Sequence, residues 1–228
     1  MRLKSFGCSF IFGTDLADDG RDGPYATPSN FTWPALIAKQ LGAGYLCRAR
    51  GGAGNLQILD RILIEAAVSD PKTDIFVINW SWIERFDYGY GVTDPIPGTW
   101  KTICAVSNSA QAQNYYRHLH TEYRDKLSTL VCMHTAINML NSKGIKFYMT
   151  YMDDLVFDQK YNAAPGLVDL QTQVIPYMNN FDGLTFLEWS QKNDFPISKT
   201  QHPLELAHAL AAEFMLPKIQ SQLGINKI

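Results

Sequence analysis

The amino-acid sequence predicts an α/β fold: a three-layer αβα sandwich with a mainly parallel sheet of about five strands. Two observations support this prediction. Short strand-like apolar runs alternate with longer segments of helical apolar spacing along the chain, which is typical of a parallel sheet covered by helices on both faces. In addition, the run 74–80 is rich in apolar and β-branched residues, as expected of a central strand that is buried on both sides.

Five strands are expected in chain order. Four of them are the runs 2–6, 45–49, 74–80 and 145–151, and the fifth is placed near 184–187. Each run has the length of an ordinary strand, whereas the segments between most of them are long enough for a crossover helix.

Helices are expected between and after these strands. Four of them begin near Trp33, Asn55, Glu122 and Pro203, and a shorter helix is expected at 168–178. Proline is preorganised for the first helical turn, which favours the helix starts at Pro34 and Pro203. Gly144 follows the third helix and is expected to end it as a C-cap.

The stretch from Ser81 to about Thr121 shows neither the apolar spacing of a helix nor that of a strand. It is rich in Gly, Pro, Tyr, Trp and Asn. We interpret it as an insertion at about 81–121 in a single domain that spans 1–228. It leaves the sheet after the third strand and is expected to overhang the ligand-binding edge. Its aromatic residues would either form a small core of their own or stack on a sugar ring: Tyr88, Tyr90, Trp100, Tyr115 and Tyr116.

The composition excludes several classes of protein. A chain of 228 residues is expected to bury roughly 70% of its unfolded surface, so its core needs no disulfide or metal. The 20 basic and 22 acidic residues give a net charge of -2, which does not favour a nucleic-acid partner. The hydrophobic content of 46% argues against an intrinsically disordered chain.

The cysteines and the N-terminus bear on location. Four cysteines lie far apart with no C-x-x-C pair: Cys8, Cys47, Cys104 and Cys132. We expect them to be reduced thiols, and we expect no metal and no other cofactor. The apolar stretch after Lys4 is broken by Gly7, Gly13 and Asp15, so it is too short for a signal peptide, and no run is long enough for a membrane span. The expected location is the cytoplasm.

Candidate functional residues follow the strands. In a parallel α/β sheet, ligands bind at the carboxyl ends of the strands. Ser9 follows the first strand on a strand-to-helix turn, which is the arrangement that exposes a nucleophile. The glycines at 51–54 follow the second strand and allow backbone N–H groups to approach an oxyanion. Asn79, Ser81 and Arg85 lie at or after the end of the third strand.

Three short segments resemble a known family. Gly7-Cys8-Ser9-Phe10, Gly52-Ala53-Gly54-Asn55 and His202-Pro203 are similar, in that order, to the first, second and last sequence blocks of the SGNH or GDSL-type hydrolases. The resemblance extends over nearly the whole chain and implies a flavodoxin-like αβα fold. It implies that Ser9 is the nucleophile and His202 the general base. The N–H groups of Ser9 and Gly52 would hold the oxyanion, aided by Asn79 or Ser81.

Three positions differ from the family pattern. Cys8 stands where the first block has aspartate, and the third block, Gly-x-Asn-Asp, would place Ile83 at its asparagine. The last block should carry an acid three residues before its histidine, where this chain has Lys199. The group that orients His202 is therefore left open. Asp194, Asp153 and Asp154 are the candidates, and a backbone carbonyl is a further alternative.

Some of these residues also have ordinary explanations. His202 could be an N-cap residue, Asp153-Asp154 an N-cap pair and His208 a packed histidine of the last helix. Cys8 is a second candidate nucleophile. His118 and His120 are not accompanied by a third metal ligand nearby. Gly52-x-Gly54, followed by Asp74, matches a dinucleotide fingerprint only in part, because Gln57 replaces the third glycine.

The resemblance implies a serine hydrolase that cleaves a small-acyl ester, such as a carbohydrate O-acetyl ester, through an acyl-enzyme. Its expected partner is therefore a small-molecule or carbohydrate ester. The alternative is a non-catalytic SGNH-like protein that binds a glycan or serves as a structural component. The missing acid and the altered third block are the observations that favour this alternative.

Overall fold

The computed structural model describes residues 1–20, 26–89 and 100–225. Tyr90, one of the aromatic residues of the insertion, lies outside the described residues. None of the helices within these ranges is both long and apolar enough to cross a membrane.

Five strands form one parallel sheet. They are β1 (Arg2–Phe6), β2 (Gly44–Cys47), β3 (Asp74–Trp80), β6 (Lys146–Tyr151) and β7 (Met178–Asn179), whereas β4 (Phe86–Gly89) and β5 (Trp100–Ile103) pair separately. The order in the sheet is β2-β1-β3-β6-β7, and every neighbouring pair is parallel. All residues of the central strand β3 are buried, as its continuous apolar pattern predicts.

Helices cover both faces of this sheet. They are α1 (Ser9–Phe12), α2 (Trp33–Gln40), α3 (Asn55–Val68), α4 (Ala110–His118), α5 (Glu122–Lys143), α6 (Pro165–Val174), α7 (Phe186–Lys192) and α8 (Glu205–Leu223). Helices α2 and α8 pack against each other on one face, and α3, α5 and α6 pack together on the other. This arrangement confirms the predicted αβα class. Gly144 ends α5 in the left-handed conformation, as its sequence position predicts.

The fifth strand is not where the sequence pattern placed it. Residues 184–187 do not form a strand of the sheet, because Thr185 begins α7 through a capping box with Glu188. The fifth strand is instead β7, which has two residues and pairs with Met149 and Thr150 of β6. Such a short strand leaves no periodicity in the sequence.

The described part of the 81–121 segment has its own structure. Strands β4 and β5 form an antiparallel pair, and α4 packs beside them. Ile103, Ala112 and Tyr115 make a small separate core, flanked by Phe86, Tyr88 and Tyr116. Tyr88, Tyr115 and Tyr116 thus contribute to the core of this segment itself.

An ion-pair network lies at the edge of the sheet where the strands have their amino ends. Lys4 is buried and pairs with Glu65 and Asp74, and Asp74 also pairs with Arg2. Burial disfavours the charged form of Asp74, but its hydrogen bonds and charge interactions with Arg2 and Lys4 outweigh that effect and lower its pKa to about 2. The charges of these four side chains are compensated within the network. Other residues occupy the opposite edge, at the carboxyl ends of the strands.

Candidate active site

Ser9 lies at the turn between β1 and α1. A Cβ atom at Gly7 would lie 2.7 Å from Cγ1 of Ile11 and 3.0 Å from the carbonyl oxygen of Asn79, so only glycine fits this close approach. Ser9 is the first residue of α1 and lines a cavity of about 420 Å³, although only 6% of the residue is exposed. The turn therefore directs a serine hydroxyl to a small, largely protected site.

His202 lines the same cavity, in the loop before α8. A tight turn holds this loop, because the N–H of Ser198 donates to the carbonyl of His202 and the N–H of His202 donates to Oγ of Ser198. The imidazole packs against the ring of Phe10, with 5.1 Å between the ring centroids. In the described structure no hydrogen bond joins Oγ of Ser9 to the imidazole.

The carboxylate beside His202 is Asp15. Its Oδ2 atom lies 2.8 Å from Nδ1 of His202 and accepts hydrogen bonds from the hydroxyls of Ser198, at 2.7 Å, and Thr200. Asp15 follows α1 with a φ of 71°, a left-handed conformation that aspartate tolerates better than most residues. A carboxylate at Nδ1 fixes the ring and leaves Nε2 to accept a proton.

None of the three acids proposed from the sequence occupies that position. Asp153 caps the turn after β6, where it accepts hydrogen bonds from the N–H groups of Ile83 and Leu155, and burial raises its pKa. Burial also raises the pKa of Asp154, and the nearby negative charge of Glu188 raises it further. Asp194 is exposed in the turn after α7. The sequence interpretation is corrected here: the acid at Nδ1 is Asp15, from the start of the chain.

The glycine loop after β2 borders the cavity through Gly51 and Gly52. Gly52 has a φ of 77°, which favours glycine. Gly54 is needed for another reason, because a Cβ atom there would lie 2.5 Å from Oδ2 of Asp87. The carboxylate of Asp87 accepts hydrogen bonds from the N–H groups of Gly54 and Gln57 and thereby caps α3. The loop is held in place by this cap.

Asn55, Asn79 and Ser81 support the site but do not line this cavity. Asn55 accepts a hydrogen bond from the N–H of Ser81 at 2.8 Å and donates to the carbonyl of Ser81 and to Oγ1 of Thr129, both at 3.1 Å. Asn79 donates to Oγ1 of Thr150 inside the sheet. The hydroxyl of Ser81 is buried and has no hydrogen-bond partner among the described residues. Asn55 therefore ties the start of α3 to the loop after β3.

Arg85 and Trp82, from that loop, do line the cavity. The guanidinium of Arg85 lies over the indole of Trp82, 4.7 Å from the ring centroid, and donates to the carbonyl of Ala53 at 3.0 Å. Of the three candidates at the end of the third strand, the structure thus brings Arg85, and not Asn79 or Ser81, to the cavity that Ser9 and His202 line.

A second cavity of about 550 Å³ adjoins the first across Gly51 and Gly52, which line both. Tyr88 and Trp100 contribute to its wall. The indole N–H of Trp100 donates to Oδ2 of Asp60 at 2.8 Å, which fixes the ring. A ligand longer than one small group has room to extend across the glycine loop into this second cavity.

Other sequence candidates lie elsewhere or are inaccessible. His208 is buried in α8, where Nδ1 accepts the N–H of Trp33, and burial together with the charge of His202 lowers its pKa to about 3. His120 pairs with Asp125. Cys8 is fully buried, and all four cysteines are unpaired. Across the described ranges, no three His, Cys, Asp or Glu side chains form a metal-binding group.

Comparison with known proteins identifies the fold. No protein-family model and no curated protein matches this sequence. Among solved structures, the psychrotrophic esterase EstA from Pseudoalteromonas sp. matches with a TM-score of 0.55 and 10% identity, over 98% of this chain and 99% of that one. A protein described as lipolytic and of the G-D-S-L family, from Desulfitobacterium hafniense, has a TM-score of 0.50 and 11% identity, over 95% and 98%.

The acetyl xylan esterase Est2A from Butyrivibrio proteoclasticus also matches, with a TM-score of 0.50 and 15% identity. The match covers 98% of this chain but 64% of that enzyme. At such low identities the similarity concerns the fold. The chain therefore has the αβα fold of the GDSL-type lipolytic proteins and esterases, as its sequence blocks predicted.

Proposed function

We propose that this protein is a serine esterase in which Ser9 is the nucleophile, His202 the general base and Asp15 the acid that orients it. One observation carries the proposal: His202, whose Nδ1 atom contacts the carboxylate of Asp15, lines the same small cavity as Ser9, a serine on a strand-to-helix turn. An imidazole that a carboxylate holds through Nδ1 can act through Nε2 as the base that a serine hydroxyl needs to become nucleophilic.

The reaction would proceed through an acyl-enzyme. Nε2 of His202 removes the proton of the Ser9 hydroxyl as Oγ attacks the ester carbonyl carbon. The tetrahedral intermediate then collapses, the bond to the alcohol oxygen breaks, and His202 returns the proton to the leaving alcohol. Water repeats the sequence on the acyl-enzyme and releases the acid. Asp15 stabilises the imidazolium in both halves and keeps its negative charge throughout.

Backbone N–H groups are proposed to hold the developing oxyanion. The N–H of Ser9 lies at the start of α1, where an N–H has no partner within the helix. Gly52 borders the same cavity on the opposite loop. Two such donors would act where charge develops on the carbonyl oxygen, and each is worth a factor of roughly 10² to 10³ in rate in well-studied hydrolases.

A small acyl group and a larger alcohol fit the two cavities. The first cavity, of about 420 Å³, accommodates the acyl group beside Ser9. The adjoining space beyond Gly52, with Tyr88 and Trp100 in its wall, would hold a sugar alcohol. The similarity in fold to an acetyl xylan esterase supports a carbohydrate O-acetyl ester as the substrate class.

The second candidate function is binding of a glycan without hydrolysis. It is favoured by the absence of a hydrogen bond between Ser9 and His202 in the described structure, and by the placement of Asn79 and Ser81 away from the cavity. Catalytic hydrogen bonds are often long in unliganded enzymes, so the completed Asp15–His202 pair leads us to place the esterase first.

Turnover of 4-nitrophenyl acetate by the purified chain tests the proposal. The Ser9→Ala variant should lose at least roughly 10³-fold in kcat/KM. Ser142→Ala is the matched control, because Ser142 is an exposed serine of α5 whose hydroxyl only donates to the carbonyl of Met139. Equal rates for the wild type and Ser9→Ala would exclude the esterase and leave the binding function.

A further inference from the structure

The position of Arg85 bears on which esters the proposed active site selects. Arg85 lines the Ser9 cavity, and it is a half-buried cation. Arg85 also lines a third cavity, of about 330 Å³, together with Leu127 and Val131. Arg85 therefore lies at the junction between the reacting serine and further space for substrate.

Two contacts fix the guanidinium in place. It stacks on Trp82 and donates one hydrogen bond to the carbonyl of Ala53. Trp82 in turn packs edge-on against Phe10, with ring centroids 5.4 Å apart, and Phe10 packs against His202. This row of rings couples the position of Arg85 to that of the proposed catalytic base, so the cation is preorganised.

Arg85 has no carboxylate partner among the described residues. The acids next to it in the sequence are engaged elsewhere: Glu84 accepts hydrogen bonds from Ala105 and Tyr116, and Asp87 accepts them from Gly54, Gln57 and Thr102. The carboxylate of Asp15 pairs with His202. A guanidinium has five N–H donors, and within the described part of the chain one of them is used, in the hydrogen bond to Ala53.

We propose that Arg85 binds a carboxylate on the ester substrate, so that the protein hydrolyses anionic esters in preference to neutral esters of the same size. This rests on the proposed esterase function. A half-buried cation that has no counter-ion among the described residues is stabilised when a ligand supplies the charge, and a planar guanidinium matches a carboxylate with two parallel hydrogen bonds. The carboxylate lies either on the acyl side or on the alcohol side of the ester.

Two matched pairs of substrates test the proposal and distinguish the two sides. On the acyl side, the mono-4-nitrophenyl ester of glutaric acid is compared with its methyl ester. On the alcohol side, 4-acetoxybenzoate is compared with methyl 4-acetoxybenzoate. In at least one pair the wild type should favour the anion at least tenfold in kcat/KM, mainly through a lower KM, because the contact forms already in the bound ground state.

Variants of Arg85 provide the decisive comparison. In Arg85→Met the anion-to-neutral ratio should fall to about one, and in Arg85→Lys it should be intermediate, since a lysine keeps the charge but not the two-pronged geometry. Arg117→Met removes the same charge from an exposed site on α4 and should leave the ratio unchanged. Because each variant is compared with its own neutral ester, a general loss of activity does not change the result.

A wild-type ratio near one in both pairs, or an unchanged ratio in Arg85→Met, would overturn the proposal. If none of the four esters is hydrolysed, that result counts against the proposed esterase function and not against the role of Arg85. In that case calorimetry with the Ser9→Ala variant tests Arg85 directly. Tighter binding of the anionic ester, lost on adding Arg85→Met, supports the role of Arg85, and equal binding of both esters contradicts it.

Discussion

Oδ2 of Asp15 lies 2.8 Å from Nδ1 of His202, although 187 residues separate the two in the sequence. The proposed nucleophile, Ser9, begins the short helix α1 and the proposed acid, Asp15, follows it, whereas the proposed base, His202, lies in the loop before α8. The hydroxyls of Ser198 and Thr200 also donate to Asp15. In this chain the acid of the proposed triad follows the serine, whereas the resembling family carries it just before the histidine.

Asp15→Asn should remove the orienting charge. We expect kcat for a short-chain ester to fall by roughly 10³-fold or more with little change in KM, because the imidazolium loses its counter-ion and the ring its preferred tautomer. Asp194→Asn is the control, since that acid is exposed in the turn after α7, where its N–H donates to the carbonyl of Gln191. Steady-state kinetics of the two variants decide the point. A silent Asp15→Asn, or a large loss in Asp194→Asn, would contradict this assignment.

His208 should make the fold sensitive to acid. Its pKa is about 3 in the folded protein because burial and the charge of His202 disfavour its protonation, whereas an unfolded imidazole titrates near pH 6.5. Since the unfolded state binds the proton more tightly, the free energy of unfolding should decrease as the pH falls from about 6.5 towards 3.

His208→Asn keeps an acceptor for the N–H of Trp33 and removes the titrating group. The variant should be less stable than the wild type at pH 7, because a smaller side chain leaves a cavity, but its unfolding midpoint should change less between pH 6.5 and 4. Urea unfolding at several pH values measures this difference. Parallel pH profiles for the two proteins would show that His208 does not carry the effect.

Truncation of Asn55 should destabilise the protein, whereas truncation of Ser81 should have little effect on its stability. Asn55→Ala leaves the buried N–H and carbonyl of Ser81 without their partner, which should cost about 2 to 3 kcal/mol of unfolding free energy and reduce turnover by displacing the loop. Ser81→Ala removes a hydroxyl that already lacks a partner, so stability should change by less than about 0.5 kcal/mol. Denaturant unfolding measures both changes. A tenfold loss of kcat in a stable Ser81→Ala would instead restore Ser81 as an oxyanion donor.

Trp100 is expected to contribute to substrate choice. It lines the second cavity and is fixed by Asp60. Trp100→Ala should raise KM for an acetylated sugar several-fold while leaving 4-nitrophenyl acetate almost unaffected, because the smaller ester does not reach that cavity. Thermal unfolding provides the control for stability. A collapse of the melting temperature with unchanged selectivity would mean that the ring serves the core of the 81–121 segment.

Much of this architecture could be predicted from local patterns. Strands β1 and β3 and helices α3 and α5 lie where apolar spacing and end signals place them, because each signal is contained within its own segment. The predicted position of the fifth strand was wrong for a physical reason. The apolar run at 184–187 is a helix start, and the Thr185-x-x-Glu188 capping box was the available signal for it.

Some residues of the candidate site could also be predicted from local sequence, and one could not. Ser9, Gly52 and His202 lie in short sequence blocks and could be found by resemblance, and the structure brings all three to one cavity. Asp15 belongs to no such block, and its position beside His202 depends on the packing of α1 against the loop before α8. No local pattern records a pairing across the length of the chain. The sequence therefore offered Asp194, Asp153 and Asp154 as candidates, and not Asp15.

Labelling by a fluorophosphonate probe tests the central claim most directly, since an ordinary turn serine does not react with it at a useful rate. The label should map to Ser9, disappear in Ser9→Ala and fall strongly in His202→Ala and Asp15→Asn, because the three residues act as a unit. Cys8→Ala should keep the label, since Cys8 is fully buried. Folded protein that carries no label on Ser9 would contradict the esterase and favour the binding function.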